Sequence, residues 1–305
     1  MENAVLTGME ELIGRLTPIP EFGALLKQFA ADKAGERAVW GDLTKQVHSM
    51  LGGSSPLIGR LAALTELIVL ALDIADDLQD QDNQTKSWMQ CPPELALNAV
   101  LAFLAGASGE LERMQTERTD EQLPSPGIIS QMIMRAVNGQ YKDLTGEAEN
   151  EEAYIGMVQE KSGSLVRLAC YMGSAGLLSS EKQVAALNEF ADCAGIANQL
   201  ENDIRDLQRF DLKNDLLYKK KTLPVLFLLA DEDGFPAIRQ YYEGNISREQ
   251  FLQHKQTCID YIRASGCIEY TEAVKQLYAR QAEEALETLP APPSAKRRLI
   301  ELVIP

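Results

Sequence analysis

One run constrains this chain more than any other. From Glu66 to Asp82 it reads ELIVLALDIADDLQDQD. The nine residues from Leu67 to Ala75 are apolar apart from Asp73, as in a buried helix, and carboxylates follow at Asp76, Asp77, Asp80 and Asp82. With 3.6 residues per turn, Asp73, Asp76, Asp77 and Asp80 stand at i, i+3, i+4 and i+7, on one face. Like charges at those spacings repel, and they gather toward the negative end of the helix dipole. Something outside the run must compensate, and a hard divalent cation with oxygen ligands, Mg²⁺ above all, would do so. The plainer alternative is an acidic helix end that leaves the core for solvent.

A second stretch weighs against that alternative. From Gly195 the chain reads GIANQLENDIRDL. On a helix, Ile196, Leu200, Ile204 and Leu207 form an apolar stripe. Asn198, Asn202 and Asp206 form a polar row on the other side, with Gln199 and Asp203 beside it. Alone this would be an amphipathic surface helix. Two oxygen-rich faces in one helical chain suggest more, because across a bundle they could hold metal ions between them. Mg²⁺ is usually bound by one or two carboxylates plus substrate phosphates, so the pair implies a phosphorylated ligand. Cations for that ligand are scarce but suitably placed, at Lys161 in QEKSGSL and in the cluster Lys219 to Lys221. Ser162 and Gly163 can loosen the helix at Lys161, and lysines can meet a diphosphate opposite the metal.

Composition narrows the class. The chain has 305 residues, a formal net charge of −16 and a sequence pI near 4.7, which argues against nucleic acid and anionic lipid surfaces as partners. Five cysteines without a CxxC suggest free thiols in a reducing cytoplasm. The N-terminus lacks a signal-peptide core, and the longest apolar run is too short to span a bilayer. No stable membrane insertion is expected.

Strand signals are scarce and helical periodicity is nearly continuous. Helices are expected over 6–16, 22–31, 40–51, 94–118, 128–141, 154–178, 225–230, 238–242, 248–264 and 268–289. Gly52-Gly53 ends one of them. Residues 81–93 and 123–127 read as loops, and 143–152 as an acidic mobile segment. No repeat or linker divides the chain, so a single domain over 1–305 is expected.

These residues carry a resemblance. Asp76-Asp77-Leu78-Gln79-Asp80, led by Glu66-Leu67-Ile68, resembles the first aspartate-rich motif of the trans-isoprenyl diphosphate synthases (the polyprenyl synthetase family). Gly195 to Asp206 resembles the second, with Gln199, Asp203 and Asp206 matching and Asn202 where an aspartate is usual. Gly139-Gln140…Asp143, Lys161-Ser162-Gly163 and Lys220-Lys221-Thr222-Leu223-Pro224 continue it, in order, from about Gly52 to about Ala230. The resemblance implies an all-α, single-domain helical bundle of isoprenoid-synthase type with a central cavity. It implies catalytic roles for Asp76, Asp77, Asp80, Lys161 and Lys220. It also implies Mg²⁺ ligands at Asp76, Asp80, Asn202, Asp203 and Asp206, and diphosphate contacts from Lys161, Lys220, Gln199 and Gln140. The family further suggests a homodimer.

The departures are selective. Where the family's site for a second diphosphate carries a Gly-Gly-Lys-Arg-x-Arg-Pro loop, this chain has Gly52-Gly53-Ser54-Ser55-Pro56. Val69 replaces a His or Gln, and the arginines after the first motif are missing, leaving Lys86. A buried diphosphate needs positive charge, so the donor half is kept and the second diphosphate half is lost. That pattern resembles the ComQ-type isoprenyl transferases. These attach an isoprenyl group to a tryptophan of a bacterial pheromone precursor peptide, in the quorum sensing that controls competence. The expected reaction is Mg²⁺-dependent transfer from geranyl or farnesyl diphosphate, with the indole as carbon nucleophile. Ser54, Ser55, Val69, Ala71 and Leu72 are expected to border the acceptor and tail pocket. A chain-elongating synthase and a non-catalytic partner subunit of one are the alternatives.

Overall fold

The computed structural model describes residues 4–35, 39–118, 121–209, 214–231 and 234–305. Among the described residues the chain is all α, with no strand. Its helices are α1 Ala4–Leu16, α2 Pro20–Ala34, α3 Val39–Met50, α4 Ile58–Asp80, α5 Pro93–Glu117, α6 Pro126–Thr145 and α7 Glu151–Val158. A π-helical turn, Gln159–Gly163, leads into α8 Ser164–Ser174 and α9 Glu181–Gln208. Then come α10 Leu223–Ala230, α11 Pro236–Tyr242, α12 Arg248–Leu252, α13 Lys255–Ser265, α14 Cys267–Glu287 and α15 Pro293–Val303.

Contacts gather the chain into two compact units. The first is Met1–Met134, Leu165–Ala191 and Ala285–Val303; the second is Arg135–Ser164, Asp192–Glu284 and Ile304–Pro305. The boundaries between them fall inside α6, α8, α9 and α14.

In the first unit α4 is the hub, packed against α1, α2, α3 and α5, and every residue from Leu61 to Ala71 is buried. A helix covered all round must be apolar all round, which is the property that marked this run in the sequence. Its one buried acid, Glu66, accepts the backbone N–H groups of Trp40 (2.9 Å) and Gly41 (3.0 Å). Those are orphan donors of the first turn of α3, so Glu66 caps that helix from a distance. Burial pushes its carboxyl above the usual range.

In the second unit, α10 to α14 close around Leu216, Val225, Ile238, Phe251, Cys258 and Cys267. The expected stripe of α9 is buried, with Ile196 and Leu200 packed against Tyr154, Met157 and Val158 of α7.

Several boundaries differ from expectation. The segment at 143–152 is in part helical, because α6 continues to Thr145 and α7 starts at Glu151, where Asn150 caps it through Ala153 N–H at 2.9 Å. The helix expected over 248–264 is broken at Gln253–His254. The helix α15 was not anticipated; it packs on α3, and its Lys296 is buried against the Glu287 carbonyl at 2.9 Å. One helix, α5, is long and apolar enough to cross a membrane, contrary to the expectation that none is. One face, with Ala96, Ala99, Phe103, Ala107, Leu111 and Met114, lies in the first unit's core, while Leu95, Leu97 and Leu101 are exposed. None of the five cysteines is in a disulfide.

Candidate active site

The first acidic face is split by its surroundings. Asp76 and Asp80 are half-buried at i and i+4 on α4. Asp73, one turn earlier, is held by Lys33 of α2 at 2.6 Å. Asp77 is 5 % exposed and turned inward. It accepts the Trp88 indole N–H at 2.7 Å and the Asn83 amide at 2.5 Å. Burial, together with the Asp82 carboxyl beside it, raises Asp77 to about 7. Asp77, expected to be catalytic on a face shared with Asp76, thus differs from Asp76 in being buried and bonded through both oxygens. The period places it there, but Trp88 and Asn83 take both its oxygens, making it the anchor of the loop after α4.

The loop is anchored a second time. Ser87 N–H donates to Asp32 at 2.7 Å, and Lys86 pairs with the same carboxylate at 3.5 Å while lying over the Trp88 ring. The only cation of the 81–93 loop is thus engaged by the protein.

At Gly52–Pro56 the described side-chain contacts run to a histidine and a carboxylate. Ser55 N–H donates to His48 Nε2 at 3.1 Å, and its hydroxyl donates to the Glu121 carboxylate at 2.5 Å. Glu121 is also paired with Arg118. His48 in turn meets the Gly173 carbonyl through Nδ1 at 2.9 Å, which fixes its tautomer with Nε2 as the acceptor. The nearby Arg60 is engaged by Glu110 and Glu117. Of the residues expected at the acceptor and tail pocket, Ser54 is exposed, and Ser55 and Leu72 are half-buried. Val69 and Ala71 are both 0 % exposed and packed in the core. Those two do not border open space, because α4 is covered at that level; the expectation is corrected.

The second acidic face repeats the split. Asp203 is 1 % exposed; Tyr154 donates its hydroxyl to one oxygen and Gln199 its amide to the other at 3.0 Å. Gln199 Oε1 accepts from Ser162 at 3.1 Å. Asp203, expected as a metal ligand, and Gln199, expected as a diphosphate contact, are both taken up by protein partners. Asp206 and Asn202 are half-buried, and Arg205 donates to the Asn202 carbonyl oxygen at 2.7 Å. The π turn lies against α9 because Gly195 and Gly163 allow backbone contact; a Cβ on Gly195 would collide with the Gly163 backbone. Gly139 does the same for α6, where a Cβ would strike the Lys161 backbone. The loosened turn expected at Ser162-Gly163 is this π turn.

Lys161, three residues into that turn, pairs with Asp143 at 2.7 Å. Sequence reasoning passed over Asp215, which is 8 % exposed. Burial raises it to about 8; Asp203, Asp206 and Asp143 add to the rise, and Lys220 opposes it. Burial likewise raises Asp203 to about 7, with Asp143 and Asp206 contributing. No local pattern marks Asp215 in NDLLYKKK; only the fold brings it near the other carboxylates. Between its ordinary value near 4 and about 8, folded Asp215 holds a proton that the unfolded chain has released. Stability from this group therefore falls as pH rises across that window. Asp215→Asn should match the parent at pH 4 and exceed it by a few kcal/mol at pH 8, measured by urea unfolding in Mg²⁺-free buffer.

Among the described residues no three Cys, His, Asp or Glu side chains form a metal cage. Mg²⁺ needs none, since it keeps waters and takes substrate phosphates beside one or two carboxylates. Asp76 with Asp80, and Asp206 with the Asn202 carbonyl, are hard oxygen donors of that kind. The residues fit the ion.

A model of the polyprenyl synthetase family matches residues 38–262. The tryptophan prenyltransferase ComQ of Bacillus spizizenii is 28 % identical over 246 residues, covering 80 % of this chain and 85 % of that protein. ComQ of Bacillus subtilis (strain 168) is 24 % identical, covering 92 % and 91 %. Among solved structures, a polyprenyl synthase from Caulobacter crescentus CB15, complexed with calcium and isoprenyl diphosphate, superposes with a TM-score of 0.80. It is 19 % identical and covers 99 % of this chain and 93 % of its own, which establishes the shared fold. With the match spanning most of the chain and both acidic faces, this protein belongs to the polyprenyl synthetase family, as a prenyltransferase enzyme similar to the ComQ proteins.

Proposed function

We propose that the protein transfers a geranyl or farnesyl group from its diphosphate to a tryptophan side chain of a pheromone precursor peptide in the cytoplasm. The observation that carries this reading is the state of the Gly52–Pro56 loop. Ser55 is bonded to the Glu121 carboxylate, which also pairs with Arg118, and Arg60 is bonded to Glu110 and Glu117. An anionic second substrate would have to break these pairs to gain a cation, whereas a neutral indole needs only apolar walls and stacking area. The similarity to the ComQ proteins supports the same acceptor.

On this reading Asp76 with Asp80 on one face, and Asp206 with the Asn202 carbonyl on the other, would each hold Mg²⁺ together with substrate phosphate. The ion supplies Lewis-acid withdrawal on the diphosphate leaving group when bound. Lys161, steadied by Asp143, and Lys220, beside Asp215, meet the diphosphate oxygens as charge develops on them. Asp77 and Asp203 hold the two faces in shape through Trp88 and Tyr154. The indole then attacks the allylic carbon as the carbon–oxygen bond breaks. Isopentenyl diphosphate, added in excess over the peptide, should neither be consumed nor compete; inhibition at concentrations near those of the peptide would reject the acceptor assignment.

The proposal includes a homodimer. On α6, Met134, Val137, Tyr141 and Leu144 are 55, 43, 62 and 48 % exposed. Their 3-4-3 spacing is that of a helix-pairing seam. Tyr141→Glu combined with Val137→Asp should shift the mass measured by light scattering from dimer to monomer. A parent protein that is already monomeric at micromolar concentration would contradict the assignment.

A further inference from the structure

The three consecutive lysines of the second unit, Lys219 to Lys221, have three different destinations. The Lys219 ammonium lies over the Tyr241 ring, 4.7 Å from its centroid. The Lys221 ammonium donates to the Gly146 carbonyl at 3.2 Å. Lys220, between them, lies beside Asp215, where its charge works against the rise that burial imposes on that carboxyl.

The backbone is bent to separate them. Residues 215–219 form a turn, and Lys219 takes a left-handed conformation with φ +56°. A residue with a side chain stays there only where its surroundings fix it. On one side the fixing group is Asn214, fully buried, which donates to the Leu207 and Arg209 carbonyls at 3.1 and 3.0 Å and accepts the Leu217 N–H at 3.3 Å. It ties the turn to the end of α9, where Asp206 stands. On the other side are two adjacent tyrosines at the end of α11. Tyr241 donates its hydroxyl to the Leu217 carbonyl at 2.7 Å, and Tyr242 donates its own to the Lys220 carbonyl at 2.8 Å. The Lys220 N–H donates to the Asp215 carbonyl at 2.9 Å, so both main-chain polar groups of Lys220 are held.

We infer that Tyr242 is the positioning residue of Lys220: its hydroxyl fixes the backbone from which this lysine reaches the diphosphate. The inference rests on the diphosphate role proposed above for Lys220 and gives α11 a part in it. Lysine carries its charge on a flexible four-carbon stem. A fixed root removes freedom that the bound ligand would otherwise have to remove. Tyr242 acts through the Lys220 carbonyl and needs no contact with the diphosphate itself. Tyr241 makes the same kind of bond to the same turn, but to the carbonyl of Leu217, so it separates holding the turn from holding the lysine.

The test uses inorganic diphosphate with Mg²⁺ as the probe, titrated by calorimetry into the full chain. Parent, Tyr242→Phe, Tyr241→Phe, Lys220→Met and the double variant Tyr242→Phe/Lys220→Met are compared, and urea unfolding is measured on each. Tyr242→Phe should weaken binding roughly five- to tenfold, the loss of part of a charge-assisted contact. Tyr241→Phe should bind within about twofold of the parent despite a comparable loss of stability. In the Lys220→Met background, Tyr242→Phe should cost no more than about twofold, because the group it positions is gone. With a prenyl diphosphate and the tryptophan peptide, kcat/KM for the donor should follow the same order while KM for the peptide stays constant. Equal weakening by Tyr241→Phe and Tyr242→Phe, in step with lost stability, would make the pair a structural clasp and overturn the inference. Unchanged binding by Tyr242→Phe, or additive losses in the double variant, would overturn it as well. If the parent binds diphosphate with Mg²⁺ but modifies no peptide, the acceptor assignment falls and this inference stands. If the parent binds no diphosphate, both fall.

Discussion

Asp76→Asn and Asp80→Asn should each reduce prenyl transfer about a hundredfold, corresponding to roughly 3 kcal/mol of lost transition-state stabilisation. Each removes a charge from the half-buried pair of the first acidic face and leaves its volume unchanged. The Mg²⁺ concentration needed for half-maximal rate should rise in both, because a neutral carbonyl oxygen is a poorer ligand. Asp77→Asn should behave differently. Its oxygens face the Trp88 N–H and the Asn83 amide, so the substitution turns an N–H toward donors and lowers the melting temperature. Its Mg²⁺ dependence should stay close to that of wild type. Equal kinetic losses in all three variants, with unchanged melting temperatures, would contradict the division between a metal-binding pair and a buried anchor.

The largest stability effect is expected at Trp88. It is 2 % exposed, meets Phe29 edge-on with ring centroids 6.1 Å apart, and satisfies Asp77 through Nε1. Trp88→Ala opens a core cavity and strands a buried carboxyl, at a cost of about 3–5 kcal/mol. Trp88→Phe keeps most of the ring and loses only the N–H, at about 1–3 kcal/mol. Chemical denaturation should rank them in that order, with the Phe variant gaining stability at low pH, where Asp77 is protonated. An Asp77→Asn background should reduce the cost of Trp88→Phe, since the stranded charge is gone. Additive costs in the double variant would mean that the two side chains do not interact.

The acidic faces, the helix order and the loosened turn at Lys161 were legible because each is local. Apolar periodicity decides which helices are buried, and Ser162-Gly163 within a helical run marks a weak turn. The inward or outward turn of individual carboxylates was not legible. Asp77 and Asp80 lie on the same stripe, yet their environments are set by Trp88, eleven residues beyond Asp77, and by nothing in the helix itself. Asp203 is decided by Tyr154, forty-nine residues away. Asp215 has no helical pattern around it and acquires its raised pKa only from burial and three distant carboxylates. Val69 and Ala71 were misplaced for a related reason: the period shows which residues share a face, but not that α4 is covered on every face.

The central claim is that the acceptor is an indole and not a second diphosphate. The direct measurement is mass spectrometry of one reaction holding the protein, Mg²⁺, geranyl or farnesyl diphosphate, a tryptophan-containing peptide and isopentenyl diphosphate together. The account predicts a peptide heavier by one prenyl group, fragmentation placing the addition on tryptophan, and isopentenyl diphosphate left intact. An unmodified peptide beside a lengthened prenyl diphosphate would contradict it and return the protein to chain elongation.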